Sequence, residues 1–332
     1  MTQKITLTGA FGNYDRIQAL DLDSLRERGI NLQVEHLPPS EIFARMCQDQ
    51  EFDVSEMSMG AYCYLSGQPD NPFVALPAFP SRAFRHSMVY YHAGSGIEEP
   101  QDLNGKRIAI REWGMTALVW IVGILGDQYR FDLHTIDWVA AKHPRVPLKV
   151  PAGARIRYME DGQNLSDILA SGEVDAALIH QAPACFSAGL THIRRMFPDY
   201  KSAEIEYYRQ TGIHPIMHCV VVRRDVYERA PRILETIYQA LLEARQQTVE
   251  ALSDTKAFAV MVPMLPAYME ETRQVFGDNF WPYGLEQNRK TLEVLARYAY
   301  EQGLSPRKLT IEEFFPESFS GSLDSKVLEG SK

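Results

Sequence analysis

The stretch INLQVEHLPPSEIFARMCQDQEFDV, residues 30 to 54, carries the pattern that decides the fold. Residues 30 to 34 alternate apolar and polar side chains, which is typical of a β-strand with one buried face. Ser40 is a favourable N-cap residue and precedes a helical pattern. The apolar stripe of that helix consists of Ile42, Phe43 and Met46. A second apolar strand, residues 52 to 54, completes a β-α-β unit.

The same order of elements recurs along the chain. Residues 5 to 8 alternate like a strand, and residues 107 to 111 form a short strand before a helix that starts near Gly114. A further helix ends before a buried strand at residues 174 to 179. Strands that alternate with helices imply largely parallel sheets, so the fold class is α/β. The segment from 142 to 153 is expected to be a surface loop.

The length of 332 residues favours two lobes, because a single hydrophobic core usually stops growing at a smaller size. Residues 87 to 97 and 207 to 218 join the β-α-β groups without clear helical signals and are candidate hinges. If the chain crosses at both, residues 95 to 208 form an inserted lobe. Residues 1 to 94 and 209 to 332 then form the other lobe.

Composition and charge exclude several classes of protein. The formal net charge of -9 disfavours a nucleic-acid surface, which would concentrate Lys and Arg. No apolar run reaches the roughly 20 residues that a membrane span requires, and no secretory signal precedes the first strand, which favours a cytoplasmic location. The tail from Glu317 to Lys332 is expected to be loosely held. The cysteines lack zinc-site spacing and are interpreted as buried free thiols: Cys47, Cys63, Cys185 and Cys219.

Ligands of open parallel sheets bind beyond the carboxyl ends of the strands, so the loops at those ends are the expected positions of binding and catalytic residues. These loops carry Asp15 and Arg16 in the first, Glu56 and Ser58 in the second, Arg111, Trp113, Gly114 and Thr116 in the third, and His180 in the fourth. The two candidate hinges are flanked by Arg85, His86, His214 and His218. We predict that these side chains line a cleft between the lobes.

Arginine is the best side chain for binding a carboxylate through two hydrogen bonds, and Arg16, Arg85 and Arg111 are the candidates. Gly114 would let the backbone amides of a helix N-terminus approach an anion. A single arginine is more often a surface ion pair, and a single histidine is more often structural. Trp113 fits core packing as well as a ring-stacking wall. The convergence of several such groups predicts a small anionic ligand.

Established cofactor and nucleophile motifs are absent from the sequence. There is no phosphate-binding loop, no nucleophile elbow and no His-Glu-x-x-His helix. The segment GAFGNY is too short for a dinucleotide fingerprint. An enzyme with a bound organic cofactor is therefore disfavoured.

Eight segments together resemble the 4,5-dihydroxyphthalate decarboxylase family. They are GNYDR, SEIFARM, FDVSEMS, FPSRAFRHS, GKRIAIREWGMTA, RRMFPDY, TGIHPIMHCVVVRRDVYE and FWPYGLEQNR. The resemblance spans most of residues 10 to 315. It implies a two-lobed type 2 periplasmic-binding-protein-like fold with two hinge crossovers. It also implies a lyase that converts 4,5-dihydroxyphthalate to protocatechuate without an organic cofactor.

The resemblance implies a role for each kind of candidate residue. Carboxylates of the substrate would be bound by Arg16, Arg85 and Arg111. His218 or His214 would donate the proton, and Glu56 or Asp15 would contact the hydroxyls. The remaining substrate-binding candidates are Ser58, His86, Trp113, Gly114, Thr116 and His180.

Two other functions compete with a decarboxylase. A non-catalytic solute-binding protein for a small carboxylate would use the same cleft, although the absent export signal counts against it. An enzyme that builds a small metabolite is a third interpretation, but the motifs expected for it are absent. No metal site is predicted, yet a catechol with His and Glu side chains could hold a divalent ion. The expected partner is a small aromatic carboxylate, and a homo-oligomer is compatible with the sequence.

Overall fold

The computed structural model describes residues 4 to 148, 150 to 316 and 319. The predicted loose tail therefore lies outside the described residues, apart from Phe319. The described chain forms two β-sheets, each covered by helices, as expected for an α/β protein with two lobes.

The first sheet has five strands in the order β2-β1-β3-β11-β4. Their bounds are β1 Ile5–Phe11, β2 Ile30–His36, β3 Val54–Ser58, β4 Phe73–Arg82 and β11 Ile216–Arg223. Strand β1 is parallel to β2 and β3, whereas β11 lies antiparallel between β3 and β4. The late strand β11 thus returns to the centre of a sheet whose other strands come from the start of the chain.

The second sheet has six strands in the order β10-β5-β9-β6-β7-β8. Their bounds are β5 Val89–His92, β6 Arg107–Ile110, β7 Asp137–Ala140, β8 Arg155–Tyr158, β9 Ala176–Leu178 and β10 Ile193–Arg195. Here β5 is the antiparallel strand, between β9 and β10. Each sheet therefore contains one antiparallel strand that adjoins a crossing between the lobes.

The chain crosses between the lobes twice, as predicted. The first crossing lies between Arg82, the end of β4, and Val89, the start of β5. Because β5 pairs within the second sheet, residues 89 to 92 belong with the inserted lobe, whereas the predicted boundary was at 94 and 95. The segment from 87 to 97, which was predicted as a hinge, contains strand β5. Its apolar pattern did not distinguish this strand from the hinge.

Twelve α-helices cover the described parts of the sheets. Those of the first lobe are α1 Asp15–Gln18, α2 Leu22–Glu27, α3 Pro39–Asp49, α4 Met59–Ser66, α9 Arg224–Arg229, α10 Ile233–Ser253, α11 Leu265–Phe276 and α12 Arg289–Glu301. Those of the inserted lobe are α5 Thr116–Tyr129, α6 Leu165–Ala170, α7 Ala184–Ser187 and α8 Tyr200–Thr211. The predicted cap of α3 is wrong, because the N-cap is Pro38 and Ser40 makes no capping hydrogen bond. Proline suits the first turn, where its missing N–H costs nothing.

Helix α5 of the inserted lobe is buried along its first ten residues and packs against the first lobe. The Trp120 indole donates to the Ile216 carbonyl of β11 at 2.8 Å. Tyr298 of α12 packs edge-on against Trp120 and donates its hydroxyl to Asp127 at 2.6 Å. The base of the cleft is therefore a continuous core shared by both lobes.

Gly123 of α5 lies against α12, and a Cβ atom there would lie 2.3 Å from the ring of buried Tyr298. We expect Gly123→Ala to lower the free energy of unfolding by about 1–3 kcal/mol, as overpacking does in other cores. Gly126→Ala is the matched control on the same helix, where a Cβ meets nothing closer than 3.5 Å. Its better helix propensity should stabilise the protein by up to about 1 kcal/mol. Urea unfolding of both variants measures this, and equal effects would contradict the packing.

Candidate active site

A cavity of about 360 Å³ lies between the lobes, and we call it the cleft cavity. The first lobe contributes Ser58, Met217 and His218, while the inserted lobe contributes the loop from Arg111 to Thr116 and His180. These positions follow from the sheets, because the loops after parallel strands β3, β6 and β9 open toward the same space. A volume of this size suits a single small molecule.

His218 and Glu56 form a hydrogen-bonded pair at the wall of this cavity. In the register of β3 and β11, Glu56 lies opposite Val220, so His218 is its diagonal neighbour on the same face of the sheet. His218 Nδ1 is bonded to Glu56 Oε1. Because Nδ1 is engaged, Nε2 is the ring nitrogen left for a ligand.

Glu56 is fully buried and is held by three hydrogen-bond partners. The Gly12 amide donates to Oε2 at 2.9 Å, and the Tyr14 hydroxyl donates to Oε1 at 2.9 Å. Burial alone would raise the pKa of Glu56, but the His218 ring and these donors hold it below its ordinary value. An ionised carboxylate in this position orients the imidazole through the bond to Nδ1.

Three arginines surround the cavity, and two of them have no carboxylate partner among the described residues. The Arg85 Nε contacts only the Met217 sulfur, at 3.2 Å, and burial lowers the pKa of Arg85 to about 10. Within the described chain the Arg111 side chain makes no hydrogen bond or ion pair. Arg145 is paired with Glu112 at 3.2 Å. The cavity therefore has excess positive charge.

His180 lines the same cavity and senses that charge. Partial burial, together with repulsion from Arg85, Arg111 and Arg145, lowers the pKa of His180 to about 4. The positive charges of all three guanidinium groups are felt at His180. Several guanidinium groups around one cavity favour the binding of a dianion.

The lobes also touch directly at the cavity. Thr116 Oγ1 accepts from the Gly60 amide at 2.9 Å and is 2.8 Å from Ser58 Oγ, so a threonine of the inserted lobe bonds with two residues of the first. Gly114 has φ of +82°, and a Cβ there would lie 2.1 Å from Leu148. The left-handed backbone conformation therefore favours glycine at this turn.

Comparison with known proteins yields two curated relatives. The chain is 33% identical over 318 residues to 4,5-dihydroxyphthalate decarboxylase of Comamonas testosteroni, which covers 94% of this chain and 96% of the relative. It belongs to the 4,5-dihydroxyphthalate decarboxylase family. The enzyme of the same name from Pseudomonas putida is 33% identical over 212 residues, with 62% of this chain and 82% of that protein covered. The family predicted from the sequence segments is thereby confirmed. No family model matches the chain.

Among solved structures, the alkanesulfonate-binding protein SsuA from Xanthomonas axonopodis pv. citri has a similar fold. The TM-score is 0.51 at 12% identity, with 95% of this chain and 99% of that chain covered. This family member therefore has the periplasmic-binding-protein fold that was predicted. No helix in the described part of the chain is long and apolar enough to span a membrane.

One charged cavity residue of this family member was missed by sequence analysis. Arg145 lies in the segment 142 to 153, which was predicted as a surface loop, yet it lines the cleft cavity. Glu112 also lines it, and burial raises the pKa of Glu112 even though Arg145 and Arg111 oppose the shift. The position of Arg145 could have indicated that it lines the cavity, because its segment follows β7, which is parallel to β6. The loops after both strands therefore lie at the same edge of the sheet.

Three predicted residues lie elsewhere. Asp15, Arg16 and His214 line a second cavity, so the structure does not bring them together with His218 in the cleft cavity. Arg16 lies over the Trp281 ring at 4.6 Å and donates to the Pro80 carbonyl. His214 is stacked on an aromatic ring and largely buried, and burial lowers its pKa to about 3. Neither side chain reaches the cleft cavity.

Glu56 and His86 also depart from their predicted roles. Glu56 lies behind His218 and does not line the cavity, so direct contact with substrate hydroxyls is wrong for it. His86 is fully buried against Phe197 and Tyr207 and lines neither cavity. Neither of its ring nitrogens has a hydrogen-bond partner among the described residues. No cluster of three His, Cys, Asp or Glu side chains with metal-site geometry occurs in the part of the chain that the structure describes.

Burial of His86 predicts a loss of stability in acid. Burial lowers its pKa to about 4 from an ordinary value of 6.5, so the unfolded chain binds more protons between these two values. The free energy of unfolding should therefore fall as the pH drops from 6.5 toward 4. We expect the loss between pH 7 and pH 5 to be smaller by about 1–2 kcal/mol in His86→Leu than in the wild type.

Urea unfolding at the two pH values measures this difference. His134→Leu is the matched control, because His134 is exposed and its side chain has no described partner. Equal acid losses in the wild type and in His86→Leu would show that His86 is not the buried neutral group described above.

Proposed function

We propose that the chain decarboxylates 4,5-dihydroxyphthalate to protocatechuate and carbon dioxide in the cleft cavity. The observation that carries this proposal is the Glu56–His218 pair at the wall of a cavity that also holds Arg85, Arg111 and Arg145. The curated relatives that cover most of this chain bear the name of that activity.

The charges of the cavity suit this substrate. A benzene-1,2-dicarboxylate carries two negative charges at neutral pH, and the cavity has two arginines without a carboxylate partner in the described chain. Arg111 and Arg85 bind the carboxylates, and the Glu112–Arg145 ion pair also lines the cavity. Guanidinium groups bind carboxylates through parallel hydrogen bonds, which also fixes the plane of the ring.

The chemistry requires a proton at the ring carbon that loses its carboxylate. The hydroxyl para to that carbon donates electron density through the ring, and protonated His218 delivers a proton from Nε2 to the carbon. The bond to the carboxylate then breaks, its electron pair restores the aromatic ring, and carbon dioxide leaves. The ring itself holds the electrons, so no organic cofactor is needed.

Glu56 acts through His218 in this scheme. Its negative charge stabilises the imidazolium before proton transfer, and its bond to Nδ1 turns Nε2 toward the substrate. His218 is thus the catalytic residue, and Glu56 is a positioning residue.

A solute-binding protein with the same fold would need the arginines but not the Glu56–His218 pair. Burying a carboxylate completely is costly unless charged or hydrogen-bonding partners compensate. Three partners converge on Glu56 here, and the one that faces the cavity is an acid–base group. A binding function alone provides no reason for this arrangement.

The direct test is to incubate the purified protein with 4,5-dihydroxyphthalate and follow carbon dioxide and protocatechuate. Phthalate, which lacks both hydroxyls, is the matched control and should bind without turnover. Activity that persists with a chelator supports the cofactor-free scheme. Tight binding of 4,5-dihydroxyphthalate without product would favour the solute-binding function instead.

A further inference from the structure

The second cavity, which we call the hinge cavity, has a volume of about 550 Å³ and shares no lining residue with the cleft cavity. Helix α8 of the inserted lobe contributes Lys201 and Glu204 to it, while α10 and α11 of the first lobe form the opposite wall. Lys201 bridges to Glu271 of α11 at 2.7 Å, so the lobes meet at its rim. The function proposed above does not use this space.

One wall of the hinge cavity is aromatic. The rings of Phe84 and His214 are stacked with centroids 4.8 Å apart and planes 13° apart. Phe276 lies 5.9 Å from Phe84, and Trp281 meets His214 edge-on at 5.5 Å. Flat rings in this arrangement favour an aromatic ligand, which can stack against them.

Two arginines meet at Trp281. Arg16 lies over its ring at 4.6 Å, and Arg245 Nη1 donates to its carbonyl at 3.2 Å. Arg245 has no carboxylate partner among the described residues, and its Nε is buried without a hydrogen bond. A guanidinium with unused donors at the wall of a cavity favours an anionic group on the ligand.

Two buried polar atoms of the hinge cavity lack a hydrogen-bond partner among the described residues. His214 Nδ1 and Glu204 Oε1 are both buried, and neither has a hydrogen-bond partner in the described chain. Buried polar atoms are normally paired, so orphaned ones in a ligand-sized space indicate where a ligand or solvent bonds. A hydroxyl group on the ligand would serve as the donor.

We propose that the hinge cavity binds a small aromatic hydroxy acid, separately from the substrate in the cleft. The ring lies against Phe84 and Trp281, the carboxylate bonds with Arg245, and the hydroxyl bonds with one of the orphaned acceptors. This site goes beyond the proposed decarboxylation and is independent of it.

The probe is 6-hydroxy-2-naphthoate, measured by isothermal titration calorimetry. In Arg111→Gln, where cleft binding is weakened, one molecule should still bind. Arg245→Gln should weaken that binding by about 10-fold or more, the usual loss of a charge-assisted hydrogen bond. Val249→Trp, which fills the cavity from α10, should abolish it. Arg194→Gln, an exposed arginine, is the matched control and should leave binding unchanged.

Several results would overturn the site. The first is that the probe does not bind even at millimolar concentration. The second is that binding is lost in Arg111→Gln but unchanged in Val249→Trp and Arg245→Gln, which would place the probe in the cleft cavity. Thermal unfolding checks that Arg245→Gln and Val249→Trp are folded. If one of them is not folded, the other is sufficient for the test. Turnover of 4,5-dihydroxyphthalate in Val249→Trp separates this proposal from the previous one. If Val249→Trp loses turnover as well as the probe, the substrate itself occupies the hinge cavity, and both proposals fall.

Discussion

Replacement of His218 by glutamine is expected to lower kcat for decarboxylation by about 10²- to 10⁴-fold, the usual contribution of a positioned acid or base. Glutamine keeps a polar side chain of similar reach, but it cannot deliver a proton at neutral pH. Because the arginines that hold the substrate are unchanged, the Kd should change by less than about 3-fold. Carbon dioxide release measures kcat, and calorimetry with phthalate, a non-reacting analogue, measures binding.

Two further variants define the role of the pair. Glu56→Gln keeps a hydrogen-bonding group at the same position but removes the charge that stabilises the imidazolium, so kcat should fall while phthalate still binds. His134→Gln changes an exposed histidine and should leave both quantities unchanged. If His218→Gln retains more than a third of the wild-type kcat, His218 is not the proton donor.

Loss of either unpaired arginine is expected to weaken the capture of the dianion. Arg111→Gln and Arg85→Gln should each lower kcat/KM by about 10- to 150-fold, because a hydrogen bond between charged groups contributes about 1.5–3 kcal/mol.

The analogue series separates this loss from a general defect. Phthalate should bind more weakly to both variants, whereas benzoate, which has a single carboxylate, should lose less. Arg194→Gln again serves as the matched exposed control. Unchanged kcat/KM in both arginine variants would place the substrate carboxylates outside the cleft cavity.

The fold could be predicted from the sequence because its signals are local. Alternation at residues 30 to 34 and helical spacing at 42 to 46 identified a β-α-β unit, and β2, α3 and β3 occupy those positions. The rule that ligands bind beyond strand ends also led to Arg111 and Ser58. What sequence could not supply was the register of β3 with β11, which alone makes Glu56 and His218 neighbours across 162 positions.

The wrong predictions for Arg16 and His86 arise because sequence does not show in which direction a side chain points. Tyr14, the N-cap residue of α1, donates its hydroxyl to Glu56, whereas the Arg16 guanidinium lies over the rings of both Tyr14 and Trp281 and lines the hinge cavity. Arg85 and His86 are adjacent, yet the first faces the cleft cavity and the second is enclosed by rings. Irregular hinge segments have no period from which direction can be read. The position of Arg145 in a loop after a strand end could have indicated a binding residue. The polar composition of that loop led instead to its prediction as a surface loop.

The most direct measurement is a crystal structure of His218→Gln with 4,5-dihydroxyphthalate, because this variant should bind the substrate without consuming it. We predict the ring in the cleft cavity, its carboxylates bonded to Arg85 and Arg111, and the ring carbon that loses its carboxylate facing residue 218. Substrate bound in the hinge cavity beside Arg245, or with its carboxylates pointing away from both arginines, would contradict the account.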